Sequence, residues 1–159
     1  ATYCKARANH RIVSRAVVVA VGVTGDGRRE VLGFDVGHTE NEAFWTGFRR
    51  SLKTRGLGGV ALVMSDAHTG LTKAIDTVFQ GTSWQHCRVH FMRGVLAVVP
   101  KGGQDMLAPV IRTILAQPDA EHIQKQFTEV IIMLDRLHPK VAIMLDDARH
   151  DLLAFATLP

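Results

Sequence analysis

The sharpest chemical feature of this 159-residue sequence is Asp66. It follows an apolar run, residues 59–64 (GVALVM), too short for a helix and suited to an inner strand, and it sits in the string Ser65-Asp66-Ala67-His68-Thr69-Gly70 ahead of a helical pattern. Open α/β sheets place ligands where a strand gives way to a helix, and a carboxylate there can hold Mg²⁺ through hard oxygen contacts. The same position also suits an aspartate that caps a helix or closes a turn. A second feature is Cys87-x-x-His90, a spacing found in zinc sites. A structural zinc takes four ligands, and no second Cys/His pair at suitable spacing follows, so the pair reads better as packing and hydrogen bonding. His86 is adjacent, but it points to the opposite side if the strand continues. Trp84 and Trp45 have faces on which bases stack, although tryptophans beside apolar neighbours also serve as core.

Other familiar chemistry is missing. Gly25-Asp26-Gly27 and Gly102-Gly103 lack the Lys-Ser/Thr that completes a phosphate loop, and the sequence holds no G-x-S-x-G string and no convincing Ser/His/Asp set. Charge points to a different kind of partner. Residues 1–100 hold 13 basic and 7 acidic side chains, net +6, whereas residues 101–159 carry net −2. Lys5, Arg7, Arg11 and Arg15 all precede the first acid of the chain, Asp26. Such a basic front part suits a polyanion such as DNA, and equally a solvated surface. Strand alternation sends some of the four to opposite faces, so only a subset can meet phosphate at once.

Composition excludes several classes. Apolar residues make up 47% and charged residues 21%, which is globular and not disordered composition, and 14 glycines with 5 prolines show no collagen-like period. The longest strongly apolar stretch, residues 16–23, falls far short of the roughly 20 residues a spanning helix needs, so no membrane partner is expected. The opening string ATYCKARANHR lacks the apolar core of a secretory signal. Two cysteines, Cys4 and Cys87, are too few to staple a fold of this size and are expected as free thiols in a reducing compartment, hence a cytoplasmic location.

The elements that must position these residues follow from the apolar period. Residues 2–7 suggest a short strand. Residues 12–23 (IVSRAVVVAVGV) are β-branched and almost uninterrupted, the pattern of a strand buried on both faces. Thr24-Gly25-Asp26-Gly27 makes a tight turn, and residues 29–36 return as a strand. Thr39-x-x-Glu42 is a capping box for a helix carrying Ala43, Phe44, Phe48 and Leu52, which Gly56 stops. After the strand at 59–64 come a helix over about 71–79, a strand over 82–87 and a helix over 89–98. From Gln104 onward everything is helical: Met106, Val110, Ile111, Ile114 and Leu115 share a face, Pro118 opens the next helix, and Pro139 opens a last one reaching Phe155. Three strands followed by alternating units imply an α/β fold with a mixed sheet and helices against it, then a helical tail.

Several strings are recognisable as they stand. ATYCKARANHRIVSRAVVVAVGVTGDGRREVLGFDVG, TENEAFWTGF, SDAHTGL and WQHCRVHFMR resemble, in order and spacing over essentially the whole chain, the mutator-type transposases of bacterial insertion sequences. The resemblance implies an RNase H-like core over residues 1–100, interrupted by a helical insertion of which residues 101–159 are an incomplete part. It also implies DNA as substrate, with Mg²⁺ or Mn²⁺ held by two Asp and one Glu for phosphodiester cleavage and strand transfer. Asp66 matches the second Asp, as catalytic residue and metal ligand. His68, Trp84, Cys87 and His90 match the signature around it, the last two as the C-x-x-H pair that shapes the site.

The departures set further expectations. The family's first Asp directly precedes Ala-Thr-Tyr, which here begins at Ala1, and its Glu falls beyond the helical insertion, so this segment is expected to be inactive alone. His86, His38 and Gly94 stand where the family usually has Arg, Asp and Asn. A different outcome is a non-enzymatic chain that pairs with a full-length transposase, or with itself, through exposed helical faces and inhibits it. A functionless element remnant is the third.

Overall fold

The computed structural model describes residues 2–8, 10–38 and 40–158, and its class is mixed α/β. The chain divides into two compact units, residues 1–60 with 68–82 and residues 61–67 with 83–159. Among the described residues the strands form two small sheets, one antiparallel and one parallel, and not the single mixed sheet expected, because no hydrogen bonds pair a strand of one with a strand of the other.

In the first unit β1 (Thr2–Ala8), β2 (Arg11–Val23) and β3 (Arg29–Gly37) form an antiparallel meander in that order. The β2–β3 turn is the expected one. Gly27 takes φ 83°, the left-handed region glycine tolerates, Thr24 N–H donates to the Arg28 carbonyl at 2.9 Å, and Asp26 accepts from Arg28 Nε at 2.7 Å. Helix α1 (Glu42–Thr54) packs on the meander, and α2 (Thr69–Val78) packs on α1. Of the expected capping box Thr39 lies outside the described residues; the helix starts at Glu42 and its cap is Asn41, whose side chain accepts from Phe44 N–H at 2.9 Å.

The core of this unit joins Val18 to Trp45, Phe48, Leu52, Leu71 and Ala74. Strand β2 is therefore not buried on both faces. Ala16 and Val18 face α1, whereas Val19 and Val21 on the opposite side are exposed, because only one face of the meander is covered within this unit. Their cross-strand partners Phe34 and Val31 remain 73% and 68% exposed. The continuous apolar run recorded two apolar faces and not whether both have cover. A bulge between Ala20 and Val21 leaves Leu32 without a direct partner and lets it join the core. Gly37 is required by close approach, since a Cβ there would lie 2.7 Å from the Phe44 ring.

The second unit holds β4 (Leu62–Ser65) and β5 (Ser83–His86), paired in parallel, then α3 (Arg88–Ala97), α4 (Lys101–Leu115), α5 (Ala120–Leu137), α6 (Pro139–Leu152) and a 3₁₀ turn, Ala154–Thr157. Strand β4 is shorter and later than the apolar run suggests, and residues 59–61 precede it. The last helix ends before Phe155, which lies in the 3₁₀ turn. Pro139 opens α6 at a tolerated first-turn position, but Pro118 stays outside α5, which Asp119 caps by accepting from His122 N–H at 2.9 Å. Gln104 Nε2 donates to the carbonyls of Leu96 and Val99, satisfying the free end of α3 from the first turns of α4. The core runs through Val95, Leu107, Ile114, Phe127, Leu134 and Leu145. No helix among the described residues is long and apolar enough to cross a membrane.

The face of α4 is rotated from its expected phase: Leu107 is fully buried and Met106 is 47% exposed. Leu107→Ala is accordingly expected to cost about 2–5 kcal/mol in denaturant unfolding, while Met106→Ala stays within about 0.5 kcal/mol. Equal losses would put the helix back in its sequence-predicted phase.

Candidate functional site

Asp66 comes one residue after the C-terminal end of β4, half-buried, where the parallel ladder runs out. The last ladder bond is from Cys87 N–H to the Ser65 carbonyl at 2.6 Å. Parallel register places Ser65 opposite His86 and Val63 opposite Trp84, so the string from Ser83 onward forms the wall beside the strand end. Trp84 Nε1–H donates to Ser65 Oγ at 2.8 Å, and the Ser65 hydroxyl donates to the Asp66 carbonyl at 2.8 Å. Trp84 stacks on His86 with ring centroids 5.7 Å apart, and His86 meets Phe91 edge to face at 5.5 Å. Trp45, by contrast, is core, so the two tryptophans have separate roles.

Gln85 points the other way from Trp84 and His86 and is fully buried. Its Oε1 accepts from Phe155 N–H at 3.1 Å, while its Nε2 has no partner among the described residues. Arg88 lies over the Phe155 ring at 4.4 Å, with its buried Nε unpartnered among the described residues, and burial lowers its pKa. Burial also holds the His86 imidazole below its ordinary value of 6.5; Asp151 and Asp66 pull it partly back up, and His90 pushes it down. Ser65, Gln85, Phe155 and Asp151 were not singled out by sequence reasoning. Gln85, a polar residue inside a short strand, was the one with a local signal.

The C-x-x-H pair sits at the start of α3. Cys87 is the N-cap residue, half-buried and without a side-chain cap bond, and His90 is exposed in the first turn. Both Cys4 and Cys87 are free thiols. Among the described residues no three His, Cys, Asp or Glu side chains come together in a way that could hold a metal ion. Asp66 alone does not fit a pair of divalent ions, which needs several carboxylates between them.

His68 lies in the first unit as the N-cap residue of α2, exposed and without a side-chain cap bond. Strand register divides the four basic residues. Lys5 and Arg7 pair with Ser14 and Ile12 on the sheet face that carries Ala16, whereas Arg15 and Arg11 pair with Cys4 and Ala8 on the other. His38 is exposed after β3, and Gly94 lies in α3 with open space where a Cβ would stand.

The arrangement is that of a mixed α/β protein with one carboxylate at the end of a short parallel strand, backed by an aromatic wall. Its sequence matches the family described as Transposase, Mutator family, over residues 1–159, and the chain belongs to that family. It is 42% identical over 155 residues to the transposase for insertion sequence element IS1081 of Mycobacterium tuberculosis, covering 98% of this chain and 37% of that relative. It is similar to the transposase for IS256 in transposon Tn4001 of Staphylococcus aureus, 41% over 117 residues, covering 74% of this chain and 30% of the relative. With the transposase for ISRM5 of Rhizobium meliloti it shares 33% over 159 residues, all of this chain and 40% of the relative. The chain thus spans well under half the length of these relatives.

A histidine with a depressed folded pKa binds fewer protons folded than unfolded. Its stabilising effect is complete above pH 6.5 and is lost as the pH falls through the folded value. Melts between about pH 8 and pH 5 are expected to show an acid loss that is smaller in His86→Phe, which keeps an aromatic ring in the stack. The same pH dependence in both proteins would remove His86 from the acid response.

Proposed function

We propose that this chain is a segment of an insertion-sequence transposase and contributes Asp66 to a carboxylate set that holds Mg²⁺ or Mn²⁺ for phosphodiester cleavage and strand transfer on DNA. The observation that carries this reading is the position of Asp66 just past a parallel strand, with its backbone tied to the string matching the family signature. The meander followed by alternating helices and strands supports an RNase H-like core over residues 1–100, and the uninterrupted helices α4–α6 support residues 101–159 as an insertion. The other carboxylates of the set are proposed to lie outside this segment, and the cytoplasm is the proposed location, since that is where bacterial DNA lies.

The test is a graft of this segment into a full-length relative in place of its matching part. Excision of the element is expected with Asp66 and is expected to be abolished by Asp66→Asn; excision that survives the substitution sinks the reading. The isolated chain, run alongside with supercoiled plasmid and Mn²⁺, is expected to produce no nicks, because one carboxylate cannot bridge two ions about 3.5–4 Å apart.

A second reading, association with a longer transposase as an inhibitor, draws on the apolar outer face formed by Val19, Val21, Val31, Phe34 and Val36. Exposed contiguous apolar patches beyond a few hundred Å² mark interaction surfaces in soluble proteins. Copurification of the chain with a full-length transposase favours it.

DNA binding by the hairpin of β1 and β2 is expected to be electrostatic and sequence-tolerant, with affinity of roughly 10⁻⁴–10⁻⁶ M that falls steeply with salt. Because the basic residues split two and two across the sheet, removing Lys5 and Arg7 is expected to weaken binding by a different amount from removing Arg11 and Arg15. Fluorescence anisotropy on a labelled duplex measures both. Nanomolar, salt-insensitive affinity for one sequence would contradict the electrostatic account.

A further inference from the structure

Where β4 ends, its last residue is held in two ways. The Ser65 carbonyl accepts from Cys87 N–H, which closes the ladder, and the Ser65 side chain continues beyond it. A serine hydroxyl has one proton, and an indole N–H bonded to its lone pairs leaves that proton to be aimed elsewhere. Trp84 Nε1–H occupies Ser65 Oγ at 2.8 Å, and the hydroxyl proton goes to the Asp66 carbonyl at 2.8 Å. That carbonyl lies past the final ladder bond and has no strand partner. The relay supplies a partner and holds the peptide plane that follows Asp66.

Packing alone does not account for this. A phenylalanine at position 84 would stack on His86 as well, whereas only an indole carries an N–H on its edge that can reach the hydroxyl. The ring on which Trp84 stacks is held in turn, since His86 is braced edge to face against Phe91. We infer that Trp84 is a positioning residue for Asp66, acting through the Ser65 hydroxyl: it sets the backbone from which the carboxylate projects. Its relevance to catalysis rests on the proposed role of Asp66, but the relay is a property of the folded chain and can be measured without that role.

The experiment is NMR on the ¹³C,¹⁵N-labelled chain, whose two indole N–H signals come from Trp45 and Trp84. Ser65→Ala is expected to speed solvent exchange of the Trp84 indole proton by about fivefold or more, the factor of one lost hydrogen bond, and to shift the Asp66 carbonyl ¹³C upfield. Trp84→Phe is expected to move the same carbonyl in the same direction, although residue 84 makes no bond to it. Ser65→Thr, which keeps the hydroxyl, is expected to restore both signals. The Trp45 indole signal reports that the first unit remains folded. An Asp66 carbonyl left at its original shift by Ser65→Ala, or by Trp84→Phe in a folded chain, overturns the relay. If these shifts appear while the grafted transposase still works with Asp66→Asn, the relay stands and the role of Asp66 falls.

Discussion

Leu62 faces Ser83 and Ser65 faces His86 in the parallel pair of β4 and β5, and that register governs the rest of the second unit's chemistry. One residue of slip would turn Gln85 outward and bury Trp84 and His86. In the observed register Trp84 and His86 share the side on which Asp66 is tied down, while Gln85 enters the core and is met by the backbone of the 3₁₀ turn. A ladder of four residues per strand is short. Its hold is extended by the closing ladder bond from Cys87 to Ser65 and by two side-chain bonds, Trp84 to Ser65 and Phe155 to Gln85.

The first unit is stabilised differently. Its three strands are long, its turn is tight, and one helix covers one face with Trp45, Phe48 and Leu52. Arg55 at the end of α1 reaches back to donate to the Leu32 carbonyl at 2.7 Å, fastening the helix end to β3 at the bulge. Arg49 is buried over the Phe79 ring, and desolvation pushes its pKa down to about 10. This unit thus combines a strongly apolar sheet with a buried guanidinium.

Much of this was legible in the residues. The Thr24–Gly27 turn, the helix carrying Phe44, Phe48 and Leu52, and the opening of α6 at Pro139 each follow from local rules, because a glycine, an apolar period or a proline ring constrains only its neighbours. What escaped was decided elsewhere in the chain. The valines of β2 look the same whether or not a second layer covers them. Pro118 and Asp119 both suit a helix start, and the bond to His122 N–H decides between them. In α4 the choice between Met106 and Leu107 depends on what α5 presents. For the site, the string around Asp66 and the string around Trp84 were both conspicuous. Their joining through Ser65 was not, because a serine beside an aspartate carries no periodic signal and its partner stands 19 residues away. Asp151 had less signal still, since it lies in a polar stretch of a helix remote in sequence.

The bond between Gln85 and Phe155 spans 70 residues. A ribosome releases a chain from one end, so β5 emerges long before the turn whose backbone N–H donates to its amide oxygen. The parallel pair is thus anchored by a backbone N–H four helices downstream, a contact of high sequence separation whose closure carries the entropy of a long loop.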